Sequence, residues 1–184
     1  MIKLQTTPFQ DVTLQSYEPL TVSELTVMAD NILDSLCVYR PEFERLARLH
    51  RNTGCRYQEL FQSGRWTLIG TTSVQVQPQK GNASRLLQLS SIGVDNAVVM
   101  GQIKDDMDRL PSRQYDRAFS LMVHQHGLWR LYEEGFAHPS THFFRHVKIK
   151  ELAAQGRDKS YIASWIGEKS EDNLDYYLNS HYYI

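Results

Sequence analysis

The sequence predicts a mostly helical α+β domain with one small antiparallel sheet. Two observations lead to this fold class. Apolar residues recur at helical three- and four-residue steps over most of the chain, and the period shortens to two residues only between about 66 and 89. With 184 residues the chain can bury one sizeable core, so we expect a single domain.

The first helix is predicted to begin near Thr21, after an irregular segment over residues 1–20. Its apolar residues follow a helical spacing: Leu25, Met28, Ile32 and Leu36. A second helix is expected from Pro41, a residue suited to a first helical turn, to a stop at Gly54, and a short helix follows at 57–61. Later helices are predicted at about 95–109, 113–126, 140–155, 158–166 and 171–179.

The small sheet is predicted from three short runs in the middle of the chain. Residues 66–69 and the alternating residues 73–77 are typical of strands, and a third run follows at 85–89. Between the last two runs, Lys80-Gly81-Asn82 supplies a turn. Lys80 is therefore expected in an exposed hairpin turn.

The charge of the chain is distributed unevenly. The net charge is -1, but residues 1–37 hold one basic residue against five acidic ones, and residues 38–90 hold eight basic residues against three acidic ones. Affinity for DNA comes largely from cations that neutralise phosphates. A basic face beside acidic ones therefore permits nucleic-acid binding without requiring it. Cys37 and Cys55 are too few for a disulfide framework or a four-thiolate zinc site.

Four short features stand in a fixed order along the chain. TGCRYQEL at 53–60 puts Arg56 at the start of a short helix, just beyond a glycine turn. Lys80 in the hairpin turn comes next. THFFRH at 141–146 places a histidine and an arginine one helical turn apart, on the same face. WIGEKS at 165–170 is followed by a tyrosine, nine residues after its glutamate.

These features resemble the pattern of the tyrosine recombinase, or phage integrase, family: T-G-x-R-x-x-E-L, a hairpin lysine, H-x-x-R-H, then L-G-H-x-S and a tyrosine. The resemblance covers roughly residues 20–180. It implies the catalytic-domain fold of that family over residues 21–184, and an enzyme that cleaves and rejoins double-stranded DNA at a specific site to integrate, excise or resolve phage or other mobile DNA. It implies no metal or nucleotide cofactor.

The resemblance also implies a role for each matching residue. Arg56 and Arg145 would clamp the scissile phosphate, as planar guanidinium groups with paired donors can do. Lys80 would be the general acid that protonates the departing 5′ oxygen, and His142 would position or exchange protons near the phosphate. Tyr177 would attack phosphorus and form a 3′-phosphotyrosyl intermediate.

Each assignment has an alternative that the sequence leaves open. Arg56 can be a surface residue paired with Glu59, and Lys80 can be a solvated turn residue. His142 can be an ordinary residue at a helix start and Arg145 a surface ion-pair partner. For the nucleophile, spacing favours Tyr177, and the adjacent Tyr176 is the alternative, with Tyr182 and Tyr183 close behind.

His138, His142 and His146 are spaced four residues apart, which is also a metal-ligand spacing on a helix. Pro139 argues against a metal site, because a proline there should begin the helix and leave His138 outside it. An acidic third ligand is also missing at an obvious spacing. We therefore expect no metal.

Glu168 departs from the family pattern, which has histidine or sometimes tryptophan at this position. That residue would donate a hydrogen bond to the phosphate, whereas an ionised carboxylate repels it. Trp165 lies one helical turn earlier, but its spacing does not match. The alternative function is therefore a catalytically silent DNA-binding paralogue. A relaxing topoisomerase of the same mechanism is a third interpretation.

Recombinases of this family normally carry an amino-terminal core-binding domain, and only about 20 residues precede the first predicted helix here. The chain is therefore either a fragment or a single-domain version. Only seven residues follow Tyr177, so the carboxyl-terminal segment that such enzymes pass between protomers would be very short. Tetramer assembly from this chain alone is therefore not expected, and self-association on DNA stays open. The sequence lacks a run of about 18 apolar residues and a secretory signal pattern, so we expect no membrane partner and a cytoplasmic location in a bacterium or phage-infected host.

Overall fold

The computed structural model describes residues 18–79, 82–132 and 134–184. Its α-helices are α1 (Val22–Tyr39), α2 (Glu44–Thr53), α3 (Tyr57–Leu60), α4 (Ala97–Arg109), α5 (Ser112–Gln125), α6 (Phe143–Ala154), α7 (Lys159–Ile166) and α8 (Asp172–Leu178). Its strands are β1 (Trp66–Ile69), β2 (Ser73–Val76), β3 (Arg85–Gln88), β4 (Trp129–Tyr132), β5 (Gly135–Ala137) and β6 (Tyr182–Tyr183). The predicted mostly helical α+β fold is confirmed.

Helix α1 begins where its sequence supplies a capping box. Glu24 N–H donates to Thr21 Oγ1 at 3.3 Å, and Thr21 N–H donates to Glu24 Oε2 at 2.8 Å, so two backbone donors at the helix start are satisfied. The helix buries a stripe against α2, α5 and α6: Leu25, Ala29, Ile32, Leu33 and Leu36. It ends at Tyr39, just before Pro41 begins a 3-10 turn.

The predicted sheet forms from β1, β2 and β3, which pair antiparallel in that order. Trp66 lies opposite Val76, and Val74 lies opposite Leu87. All four side chains are buried, so this sheet covers one side of the helical core. Its β2–β3 connection contains Lys80, which lies outside the described residues.

The structure contains a second, separate antiparallel sheet, in the order β5-β4-β6, where the sequence predicted only one sheet. Arg130 on β4 lies opposite Ala137 on one side and Tyr182 on the other. Strand β6 lies directly after α8. The pairing of β6 with β4 therefore anchors the chain just after α8, the helix that carries Tyr177, and helps to fix the position of α8.

Helices α6, α7 and α8 pack around a small apolar cluster of their own: Ile149, Leu152, Ile162, Ala163, Ile166 and Leu174. Burial of this cluster packs α7 and α8 against α6, which also packs on α1 and α2. Among the described residues, none of the helices combines the length and apolar character of a membrane span.

Gly167 ends α7 in the left-handed region, at φ +81°, and its position is crowded. A Cβ there would lie 2.6 Å from Arg85 Nη1 and 3.0 Å from the backbone oxygen of Ala83. Gly167→Ala is therefore expected to lower the free energy of unfolding by about 2–3 kcal/mol, from the strained φ and the displaced neighbours together. Urea denaturation measures this loss.

Gly156→Ala is the matched control for this prediction. Gly156 has a similar φ of +78°, but a Cβ there meets none of the described atoms within 4 Å. Only the conformational cost remains, about 1 kcal/mol. Equal losses in the two variants would show that the contact between Gly167 and the β3 side of the sheet does not matter for stability.

Candidate active site

Arg145 is fully buried on the first turns of α6 and connects three separate segments. Its Nη1 donates to the backbone oxygens of Gly54 at 3.1 Å and Ile166 at 3.2 Å. Its Nη2 donates to Glu168 Oε1 at 2.6 Å. This one guanidinium therefore ties the turn after α2 and the end of α7 to α6.

Arg56 reaches the same place from the turn that follows α2. Gly54 ends that helix at φ +63°, and a Cβ there would lie 2.9 Å from Lys148 Cβ, so glycine permits α2 to end directly against α6. Arg56 then stands at the start of α3, where its N–H donates to Glu59 Oε2 at 2.9 Å. Glu59 itself is buried and pairs with Arg85 at 2.9 Å.

Glu168 lies between the two arginines. Its Oε1 accepts from Arg56 Nη2 at 2.5 Å and from Arg145 Nη2 at 2.6 Å. Its side chain is only 3% exposed. Burial alone raises the pKa of this carboxyl, but the charges of Arg145 and Arg56 and the hydrogen bond from Arg145 outweigh burial and hold the pKa of Glu168 below its ordinary value. The carboxylate is therefore ionised at neutral pH.

Tyr177 and Tyr176 face different surroundings. Tyr177 is half-buried, and its hydroxyl lies 3.3 Å from Arg145 Nε. Tyr176 is 57% exposed, and its ring lies 5.7 Å from Cζ of Arg130 in the second sheet. Tyr177 is thus the tyrosine beside the arginine pair.

Comparison with known proteins gives matches among solved structures alone, since neither a protein-family profile nor a curated protein matches the chain. A lambda integrase dimer bound to a COC′ core site matches with a TM-score of 0.60 and 16% identity, over 88% of this chain and 59% of that one. XerA recombinase matches with a TM-score of 0.59 and 16% identity, over 89% of this chain and 60% of that one. XerH recombinase in a pre-cleavage complex with difH substrate matches with a TM-score of 0.54 and 15% identity, over 86% and 49%.

This chain has the tyrosine recombinase catalytic-domain fold. At 15–16% identity these matches establish the fold alone. The chain spans 49–60% of the length of these three recombinases. The fold implied by the sequence resemblance is therefore confirmed, and the roles of individual residues remain proposals.

Within the recombinase fold, His142 lies just before α6, half-buried, with its backbone N–H 3.3 Å from Ser140 Oγ. Burial lowers the pKa of His142 to about 4, and the neighbouring charges of Arg145, Arg56 and Arg130 act in the same direction. The imidazole is therefore neutral at pH 7, with a lone pair on one of its two ring nitrogens.

Gln79 and Asn82, which precede and follow Lys80-Gly81 in the sequence, border Arg56. A small cleft of about 290 Å³ is lined by Arg56, Arg65, Gln79 and Asn82. With its amide oriented for hydrogen bonding, Asn82 accepts from Arg56 Nη1 at 2.9 Å. Gln79 and Asn82, the described residues that flank this segment in the sequence, therefore lie near Arg56, and the position of Lys80 itself stays a prediction.

Two of the three histidines that are spaced four residues apart, His138 and His146, form hydrogen bonds with different partners. His138 Nε2 lies 2.9 Å from His124 Nδ1, and His146 Nε2 lies 2.9 Å from Arg130 Nη1. Over the described ranges, groups of three side chains able to hold a metal ion are absent. Trp165 is also committed elsewhere, because its Nε1 donates to the backbone oxygen of Thr53 at 3.1 Å.

Arg130 is a buried residue beside the site that sequence reasoning missed. Its guanidinium lies 4.0 Å from the Tyr132 ring and donates to His146, whose pKa is lowered to about 2 by burial and by Arg130. His146 in turn packs 4.7 Å from the Tyr177 ring. These contacts join residues from β4, α6 and α8, so periodicity and local motifs carry no signal for them.

Proposed function

We propose that this chain is a DNA strand-exchange enzyme that cleaves and rejoins duplex DNA through a 3′-phosphotyrosyl intermediate on Tyr177. The observation that carries the proposal is the meeting of a tyrosine hydroxyl with two arginines. Tyr177 Oη lies 3.3 Å from Arg145 Nε, and Arg145 shares one carboxylate oxygen with Arg56. A nucleophile beside a cationic pair is the arrangement that phosphoryl transfer requires.

Arg56 and Arg145 bind the non-bridging oxygens of the scissile phosphate. Charge builds on these oxygens as the tyrosine attacks, and donors fixed in advance stabilise that charge without reorganising. Arg145 is well suited to this role, because its guanidinium is already held by the backbone oxygens of Gly54 and Ile166. The arginine fork offers paired donors that a lysine cannot match.

The cleavage step transfers two protons. Tyr177 Oη forms a bond to phosphorus as its proton passes to a base, and the bond from phosphorus to the 5′ oxygen breaks as that oxygen receives a proton. The neutral imidazole of His142 is the acceptor that we assign. Lys80 is the donor to the 5′ oxygen. Attack by a 5′-hydroxyl from another strand reverses the step and releases Tyr177, so cofactors take no part in the scheme.

Double-stranded DNA and a second copy of the chain are the partners that we propose. Support comes from the neighbours in fold, which include a lambda integrase dimer on a core site and XerH on its difH substrate. The excess of basic over acidic residues in the sequence from 38 to 90 permits phosphate binding. Residues 21–184 then act as the catalytic domain, and integration, excision or resolution of mobile DNA is the process served.

Glu168 favours a second candidate function, a catalytically silent DNA-binding paralogue. Its carboxylate neutralises the arginine pair at distances of 2.5 and 2.6 Å. If this carboxylate never leaves, a phosphate cannot bind in its place. Both candidates bind DNA, and only the enzyme forms a covalent adduct.

Covalent trapping tests the proposal. The protein is incubated with labelled, nicked duplexes of randomised sequence, denatured, and separated on a gel to reveal protein-bound DNA. We expect an adduct with the native chain and with Tyr176→Phe, and none with Tyr177→Phe. Absence of the adduct from the native chain despite measurable DNA binding would support the silent paralogue. Loss in Tyr176→Phe alone would move the nucleophile to the neighbouring tyrosine.

A further inference from the structure

We infer that Glu168 is an internal occupant of the phosphate site: in the protein without DNA its carboxylate fills the space between Arg56 and Arg145, and a phosphoryl oxyanion must displace it to bind. This inference deepens the proposed function, since the displaced position is that of the scissile phosphate. It concerns binding alone and can be tested without any cleavage.

The contacts of Glu168 are those of an anionic ligand. One oxygen, Oε1, accepts charge-assisted hydrogen bonds from Nη2 of Arg56 at 2.5 Å and from Nη2 of Arg145 at 2.6 Å. A guanidinium fork accommodates carboxylate and phosphate oxygens alike. The carboxylate therefore satisfies the same donors that a phosphate would use.

The charge of the cluster requires an anion at this place. The Arg145 side chain is 0% exposed and the Arg56 side chain 15%. Glu59 lies 2.9 Å from Arg85 and 4.0 Å from Arg56, so this single carboxylate is already shared between two arginines. Three buried arginines with Glu59 as their one carboxylate would leave positive charge uncompensated, which is strongly destabilising. Glu168 supplies that counter-ion from within the chain, so the free protein does not need phosphate.

We expect the carboxylate to leave by a rotation of its side chain, without a change in the backbone. Glu168 N–H donates to Ala163 O at 2.9 Å, and Gly167 O accepts from Ala83 N–H at 3.2 Å, so the main chain at this point is fixed on both sides. Rotation of the glutamate side chain is then the motion that empties the site. The cleft lined by Arg56, Arg65, Gln79 and Asn82 gives the incoming phosphate a route to the partly exposed arginine.

Binding of inorganic phosphate to the folded chain tests the inference. Isothermal calorimetry and thermal unfolding are run on the native protein, Glu168→Gln and Glu171→Gln, with sodium chloride at equal ionic strength as the salt control. Glu171 is an exposed acid three residues further on whose side chain caps no described helix, so its variant removes the same charge from the same loop.

We expect Glu168→Gln to bind phosphate at least about tenfold more tightly than the other two proteins, and only this variant to gain thermal stability as phosphate is added. Equal affinities in all three proteins would overturn the inference, and so would a folded Glu168→Gln that binds no phosphate. If Glu168→Gln does not fold, phosphate binding is measured on Glu168→Asp in its place. Its shorter carboxylate should withdraw from the arginines and raise phosphate affinity, and no gain over the native chain would overturn the inference.

The outcome is separable from that of covalent trapping. Tighter phosphate binding in Glu168→Gln together with no adduct on Tyr177 would support Glu168 as the internal occupant and refute the strand-exchange function. An adduct formed on Tyr177 by the native chain, together with an unchanged phosphate affinity in Glu168→Gln, would support the strand-exchange function and refute Glu168 as the internal occupant.

Discussion

Arg145→Lys is expected to lower the free energy of unfolding by about 3–5 kcal/mol and to abolish adduct formation. The stability cost follows because breaking a buried, hydrogen-bonded ion pair leaves uncompensated polar groups behind. Here those groups are the Glu168 carboxylate and the backbone oxygens of Gly54 and Ile166. A lysine ammonium is a point charge and cannot span all three from one position.

Arg157→Lys is the control for this variant. Arg157 is exposed and lies 4.6 Å from the Tyr161 ring, so its replacement should change the free energy of unfolding by no more than about 0.5 kcal/mol. Urea denaturation compares the two. A loss in Arg145→Lys as small as in the control would mean that the buried guanidinium does not hold the three segments together.

Glu168→His is expected to raise the rate of adduct formation by at least about tenfold, which corresponds to about 1.4 kcal/mol of transition-state stabilisation. The change removes a negative charge that contacts both arginines at 2.5 and 2.6 Å. An imidazole N–H at this position can also donate to a phosphate oxygen, which an ionised carboxylate cannot do. Single-turnover cleavage of nicked duplexes measures the rate.

Glu168→Met separates the two contributions, because it removes the charge with an uncharged side chain of similar length that has no N–H donor. DNA binding and thermal unfolding are measured beside the rate, since both variants lose the ion pairs of Glu168 with Arg56 and Arg145. Cleavage by Glu168→His that is unchanged or slower than in the native chain, with DNA still bound, would show that Glu168 does not limit the site.

Much of the fold could be predicted because its signals are local. The apolar stripe from Leu25 to Leu36 lies within α1, the helix that it predicts. Gly54 directly follows α2, the helix whose end it predicts. The second sheet could not be predicted in this way. Strand β6 has two residues, and Tyr182 pairs with Arg130, which is 52 positions earlier in the chain. Strand β6 is too short to show an alternation of its own.

The candidate site was predictable as a set of residues and less so as a geometry. The order of the motifs points to Arg56, Arg145, Glu168 and Tyr177 together, and the structure brings these four side chains into contact. The sequence suggested that Glu168 would repel a phosphate. That the carboxylate bridges both arginines depends on the rotamers of three side chains from different elements, which no spacing in the sequence specifies.

Identification of the amino acid that carries the DNA tests the central claim most directly. The trapped adduct of the native chain is digested with protease and nuclease, and the peptide that retains a nucleotide is sequenced by mass spectrometry. We predict a phosphodiester between Tyr177 and the 3′ end of the cleaved strand, with a free 5′-hydroxyl on the other fragment. Attachment to any other residue, or a 5′ linkage, would contradict the account.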